Sequence, residues 1–142
     1  MDAAPQPSAM SPSSVPQVSL TILLVDDDDA FRRGLADNLR DDGHTVIEYG
    51  GPDDIPPGTV GNVDAVVTDY EMPGTNGLRF ADRVHAAQPS LPIVVLTAHR
   101  HAPFVIEAAA RSFVHLLHKP VVYQRLHQLL CKLVDDSPRP VS

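Results

Sequence analysis

Cysteine is almost missing: among 142 residues there is one, Cys131, set within an apolar helical pattern. With a single thiol, neither a disulfide framework nor a cysteine-based zinc site is expected to be available. Basic residues are scarce too, 11 Lys and Arg against 18 Asp and Glu, for a formal charge of −7. Nucleic acid, which calls for a basic face, is therefore not an expected partner. No apolar run approaches the roughly 20 residues that cross a bilayer, so no membrane association is expected. The opening "MDAAPQPSAMSPSSVPQVS" has neither a basic lead nor an apolar stretch. It does not read as a secretory signal, and a cytoplasmic location is expected. Neither a P-loop nor a Gly-rich dinucleotide fingerprint occurs. What the chain does have is apolar material, 43% of its residues, enough for one domain with a real core.

Composition divides the chain into three parts. Residues 1–18 are rich in Pro, Ser and Ala and predict a disordered arm. Residues 19–135 hold the domain, and 136–142 read as a flexible tail. Within the domain, apolar runs at Leu20–Val25 (LTILLV), Asp64–Asp69 (DAVVTD), Pro92–Thr97 (PIVVLT) and Phe113–Leu117 (FVHLL) predict strands. Three are continuous rather than alternating, as suits strands covered on both faces of a parallel sheet. His44–Tyr49 is a more mixed fifth strand, expected near an edge. A helix capped by Asp28 or Asp29 runs to about Arg40, with Phe31, Leu35 and Leu39 on one face and Gly43 at its left-handed end. Asn76 caps a second to about Ala87, burying Phe80 and Val84. Pro103 opens another to about Arg111. The last spans about Val122–Val134, with Val122, Leu126, Leu129, Leu130 and Leu133 as its stripe. Between Gly50 and Asn62, where a helix is due, Pro52, Pro56, Pro57, Gly58 and Gly61 allow at most one turn. Strands alternating with helices imply a doubly wound α/β domain around a five-stranded parallel sheet, its second helix degenerate.

In such sheets ligands sit beyond the carboxyl ends of the strands. There the sequence puts Asp26 and Asp27 after the first strand, Asp69 after the third, Thr97 after the fourth and Lys119 after the fifth. Three carboxylates so close resist joint ionisation unless a cation joins them. Oxygen ligands without His or Cys suit Mg²⁺. A metal beside an ammonium stabilises a phosphoryl group in transfer, and an aspartate can accept that group as an acyl phosphate.

The segments "LLVDDDDAF", "VVTDYEMPGTNGL", "VVLTAH" and "LLHKP" resemble, in order and spacing, the receiver domain of bacterial two-component response regulators. The likeness covers about Leu20 to Val134 and implies a (βα)5 flavodoxin-like fold with strand order 2-1-3-4-5. It implies that Asp69 is the phospho-acceptor, that Asp27 binds Mg²⁺ directly and that Asp26 acts mainly through water. The Glu71 main-chain carbonyl would be the third protein ligand. Lys119 would contact the phosphoryl oxygens, Thr97 would be the switch hydroxyl, and the Lys119–Pro120 bond would be cis. The chain departs from the family at Leu116, where a switch aromatic is usual; Phe113 and Tyr123 are the nearby aromatics that could stand in. Ser112 and Phe113 replace a usual Gly-Ala pair. Glu71 and His99 occupy positions that tune dephosphorylation.

Simpler readings stand beside these. Asp28 and Asp29 suit a solvated first turn favoured by the helix dipole. His99, His101, His115 and His118 mix a loop with alternate strand positions, which favours solvated side chains over a metal cluster. Phe104, Ile106 and Phe113 read as core. The resemblance implies a stand-alone, non-enzymatic receiver, phosphorylated by a sensor histidine kinase or phosphotransfer protein. It would signal to a downstream protein through the face from about Phe104 to Val134. The alternatives are a non-phosphorylated pseudo-receiver adaptor and a Mg²⁺ phosphohydrolase, the last disfavoured because Glu71 should point away from Asp69.

Overall fold

The computed structural model describes residues 19–136. The expected arm at 1–18 and the tail after Asp136 lie outside the described residues. Five parallel strands form the sheet: β1 (Thr21–Val25), β2 (Thr45–Tyr49), β3 (Ala65–Asp69), β6 (Ile93–Thr97) and β7 (Val114–His118). Their order is β2-β1-β3-β6-β7, the expected 2-1-3-4-5 arrangement. The numbering leaves room for β4 (Glu71–Met72) and β5 (Thr75–Asn76), a two-residue antiparallel ribbon after β3.

The continuous apolar runs are explained by two buried faces. Alternate residues of β1 serve different layers: Ile22 and Leu24 pack with Leu35, Leu39, Leu126 and Leu130. Leu23 and Val25 pack with Leu78, Phe80, Val84 and Phe104. The first layer comes from α1 (Asp29–Asp41) and α4 (Tyr123–Asp136), the second from α2 (Gly77–Ala87) and α3 (Ala102–Ala109). Each large side chain removed from water contributes about 1.5–3 kcal/mol.

The helix ends follow their sequence signals. Asp28 caps α1, its carboxylate accepting from Phe31 N–H, and Gly43 follows the C-cap with φ 95°. Asn76 caps α2 by accepting from Arg79 N–H. Between β2 and β3 the Pro/Gly-rich stretch makes only two 3₁₀ turns, Pro52–Asp54 and Thr59–Asn62. Ile55, Val60 and Val63 close part of the second layer there in place of a helix.

Three expectations need correction. The fifth strand is Val114–His118 rather than Phe113–Leu117, and as an edge it is half-buried throughout. Val122 precedes α4 and is 58% exposed, off the stripe that buries Leu126 and Leu130. Ile106 is 69% exposed on α3, whereas Phe104, two residues earlier and on the opposite side of the helix, is buried.

Candidate functional site

The acidic rim forms where β1 and β3 stop pairing. Asp26 N–H donates to Tyr49 O (3.1 Å), which holds the residue just past the end of β1. The side chain is 1% exposed; its Oδ1 accepts from Asp28 N–H (2.9 Å), and its Oδ2 is buried with no hydrogen-bond partner. Asp69 ends β3 and is also buried, while Asp27 is exposed. Carboxylate oxygens of Asp26, Asp27 and Asp69 lie within 4.8 Å of one another.

Lys119 supplies the opposing charge. Its Nζ lies 2.8 Å from Asp69 Oδ1 and 4.0 Å from Asp26 Oδ2. The backbone behind it is fixed by Lys119 N–H donating to Thr97 O (2.8 Å), and the Lys119–Pro120 bond is cis. The ammonium also stands 4.8 Å from the centre of the Phe31 ring, a cation–π contact. Burial pushes the Asp26 carboxyl up to about 6, with the charges of Asp69 and Asp27 adding to it and Asp28 N–H and Lys119 opposing it. Burial alone would lower the Lys119 ammonium, but the hydrogen bond and charge of Asp69 outweigh it and raise its pKa.

A cation fits this donor set. A buried carboxylate oxygen without a hydrogen-bond partner, beside two more carboxylates and an ammonium no nearer than 4.0 Å, is short of positive charge. Hard oxygen donors and partial solvent access match Mg²⁺.

The sequence-selected residues divide by position. Asp26, Asp27, Asp69 and Lys119 come together. Thr97 is buried at the end of β6, its hydroxyl oxygen accepting from His99 N–H (2.9 Å). The Glu71 carboxylate turns outward to His99, Oε2 to Nε2 2.6 Å. His99 is thus half-buried and paired rather than simply solvated, and its ring meets Tyr70 edge-on. The two aromatics near Leu116 are engaged elsewhere: Phe113 stacks on His85 at 3.8 Å, and Tyr123 OH donates to Asp42 (2.7 Å).

Two residues with structural roles at the site went unread in the sequence. Arg32 is 8% exposed; it donates to Asp26 O (2.6 Å) and pairs with Asp29 and Glu48. Its signal was a charged residue on the same helical face as Leu35, Ala36 and Leu39. Phe31, on the apolar face of α1 with Leu35 and Leu39, also faces the Lys119 ammonium, a role its spacing does not show.

The sequence profile of the response regulator receiver domain matches residues 22–131. The chain belongs to this family. Among related proteins, the chemotaxis protein CheY of Pseudomonas aeruginosa is 32% identical over 120 residues, covering 82% of this chain and 97% of CheY. The transcriptional regulatory protein GlrR of Escherichia coli is 28% identical over 117 residues, covering 82% of the chain but 26% of GlrR. FixJ of Azorhizobium caulinodans is 31% identical over 103 residues, 72% of the chain and 49% of FixJ. The receiver therefore spans about a quarter to a half of these two regulators. A receiver domain protein from Clostridium thermocellum superposes with TM-score 0.75 at 23% identity, covering 83% of this chain and 95% of that one. Vibrio cholerae CheY4 gives 0.73, also at 23% identity, covering 82% and 99%. These likenesses establish the receiver fold. No helix among the described residues is long and apolar enough to cross a membrane.

Proposed function

We propose that this receiver accepts a phosphoryl group on Asp69 from a histidine kinase or phosphotransfer protein and signals through protein partners in the cytoplasm. The reading rests above all on the Lys119–Asp69 ion pair, 2.8 Å, set beside an Asp26 Oδ2 that has no hydrogen-bond partner. An Asp69 carboxylate oxygen attacks phosphorus as the P–N bond of the donor phosphohistidine breaks. The electron pair of that bond stays on the imidazole nitrogen, and an acyl phosphate results. Lys119 neutralises charge on the transferred oxygens, and Thr97 is the hydroxyl that turns toward them. Mg²⁺ held by Asp26, Asp27, Asp69 and the Glu71 carbonyl would supply the remaining positive charge. Output would use the face of α3, β7 and α4, where Val105 (40%), Ile106 (69%) and Val122 (58%) are exposed apolar side chains.

Incubation with acetyl phosphate and Mg²⁺, followed by intact-mass measurement, tests the reading. The expected result is one phosphoryl group on the wild type, none on Asp69→Asn, and none after chelation. A folded wild-type chain that stays unlabelled would instead support the adaptor, to which Leu116 and the missing helix point.

A further inference from the structure

Where the strands begin, at the rim opposite the acidic pocket, three ligand-type side chains from two parts of the fold converge, with a carboxylate beside one of them. His44 stands just before β2 and is 6% exposed; its Nδ1 accepts Leu20 N–H (3.0 Å). Its Nε2 lies 2.7 Å from Nε2 of His127 on α4. One helical turn on, Cys131 Sγ is 3.8 Å from the same His127 nitrogen. The ligand atoms of His44, His127 and Cys131 all fall within 4.8 Å of one another. Asp42, at the C-cap of α1, places Oδ2 3.9 Å from His127 Nε2, and that oxygen also accepts from Tyr123 OH (2.7 Å).

The geometry points to a second metal site, formed by His44, His127 and Cys131 with the fourth position left to water or a drawn-in Asp42, for a borderline divalent ion of the Zn²⁺ class. Two imidazole nitrogens and a thiolate are donors such an ion takes in a tetrahedron completed by an oxygen, and they are wrong for Mg²⁺. Zn–N near 2.05 Å and Zn–S near 2.3 Å correspond to ligand–ligand edges of about 3.3–3.6 Å. The 3.8 Å Cys131–His127 separation needs a slight contraction, the 2.7 Å histidine pair must open, and Asp42 would have to move in to ligate. His44 forms the buried inner wall, while Cys131 is exposed and leaves an entry path. The Tyr123 hydroxyl supports Asp42 as an outer partner of the ligand set.

Proton placement follows from the Leu20 bond. With Nδ1 occupied as an acceptor, neutral His44 carries its proton on Nε2, directed at His127. Ligation moves that proton to Nδ1 and gives up the Leu20 bond. The Cys131 thiol loses its proton to solvent as the sulfur–metal bond forms. An ion here would clamp α4 to the lead-in of β2.

Cobalt titration of the full, untagged, metal-stripped chain in excess Mg²⁺ tests the site. The expected result is one equivalent bound with a thiolate-to-cobalt charge-transfer band, displaced by Zn²⁺. Cys131 is the only cysteine in the chain, so that band reports on it alone. Zn²⁺ should raise the melting temperature of the wild type but not of Cys131→Ser, and Zn²⁺ affinity should fall tenfold or more in His127→Gln. Both variants lie on α4 away from its fully buried positions, so they test ligation without relying on a His44 variant that could unfold. Absence of the band at one equivalent, or wild-type Zn²⁺ affinity in both variants, would overturn the assignment.

Discussion

Gly77 opens α2 beneath the chain that carries Asp69, and it has no room for a side chain. A Cβ there would meet Asp69 O at 2.6 Å and Tyr70 Cα at 3.0 Å. Those atoms are main chain and cannot swing aside. Gly77 N–H also donates to Tyr70 O (2.7 Å), which locks the approach. Gly77→Ala should therefore destabilise the domain by roughly 1–3 kcal/mol, read as a lower urea midpoint, and slow acetyl-phosphate labelling by moving Asp69. Wild-type values for both would show that the ribbon gives way more easily than its contacts suggest. At this scale the sequence displayed the acids and the lysine, because strand ends are readable and each carries its charged residue. It hid Arg32, whose value depends on reaching Asp26 O and Glu48, two groups brought together only by the β1–β2 pairing. It hid the His44–His127–Cys131 group for the same reason: 83 residues separate the two histidines, and counting one cysteine gave no sign of the cluster.

Elements were most legible where a local signal and burial agree. Asp28, Gly43 and Asn76 end their helices as their chemistry requires, and the prolines at 52, 56 and 57 leave only 3₁₀ turns. Legibility failed where tertiary contact decides the outcome. The sequence carries α3 to about Arg111 and the helix ends at Ala109, but nothing local shows that the Arg111 side chain reaches back across to α2. There it forms a two-pronged pair with Asp82, 2.7 and 2.9 Å. The Arg111 guanidinium holds the Asp82 carboxyl below its ordinary value of 3.8, against a smaller opposing effect of burial. A carboxyl so lowered stabilises the fold above its unfolded pKa, and that contribution is lost as pH falls through the lowered value. Because Asp82 is well exposed, screening limits the pair to a few tenths of a kcal/mol, up to about 1. Arg111→Ala should cost that much at neutral pH and nearly nothing in strong acid, with faster amide exchange confined to the end of α3. An equal cost at both pH values would assign the loss to packing instead.

Across the whole molecule, one sheet separates two apolar layers and gathers charge at its carboxyl rim. A chain of net charge −7 has little cation to spare for that rim, where, among the described residues, Lys119 is the cation paired with the Asp26 and Asp69 carboxylates. The imbalance is recorded in Asp26, whose carboxyl rises from 3.8 to about 6, chiefly through burial. The native state thus holds this proton more tightly than the unfolded chain. In metal-free protein its stabilising contribution is complete below the unfolded value and is lost as pH rises through about 6. A shift of that size corresponds to roughly 2–3 kcal/mol. A divalent cation bound to the ionised carboxylates offsets that loss, but only where the carboxylates have given up their protons. Adding Mg²⁺ to chelator-treated protein should therefore raise the melting temperature by several degrees near pH 8. The gap should narrow as pH falls through 6 and nearly vanish near pH 5. Asp27→Asn should remove most of the gap at the higher pH while leaving the metal-free melting temperature almost unchanged, because Asp27 is exposed. A gap that stayed constant with pH, or that survived in Asp27→Asn, would place the bound cation somewhere other than the acidic rim.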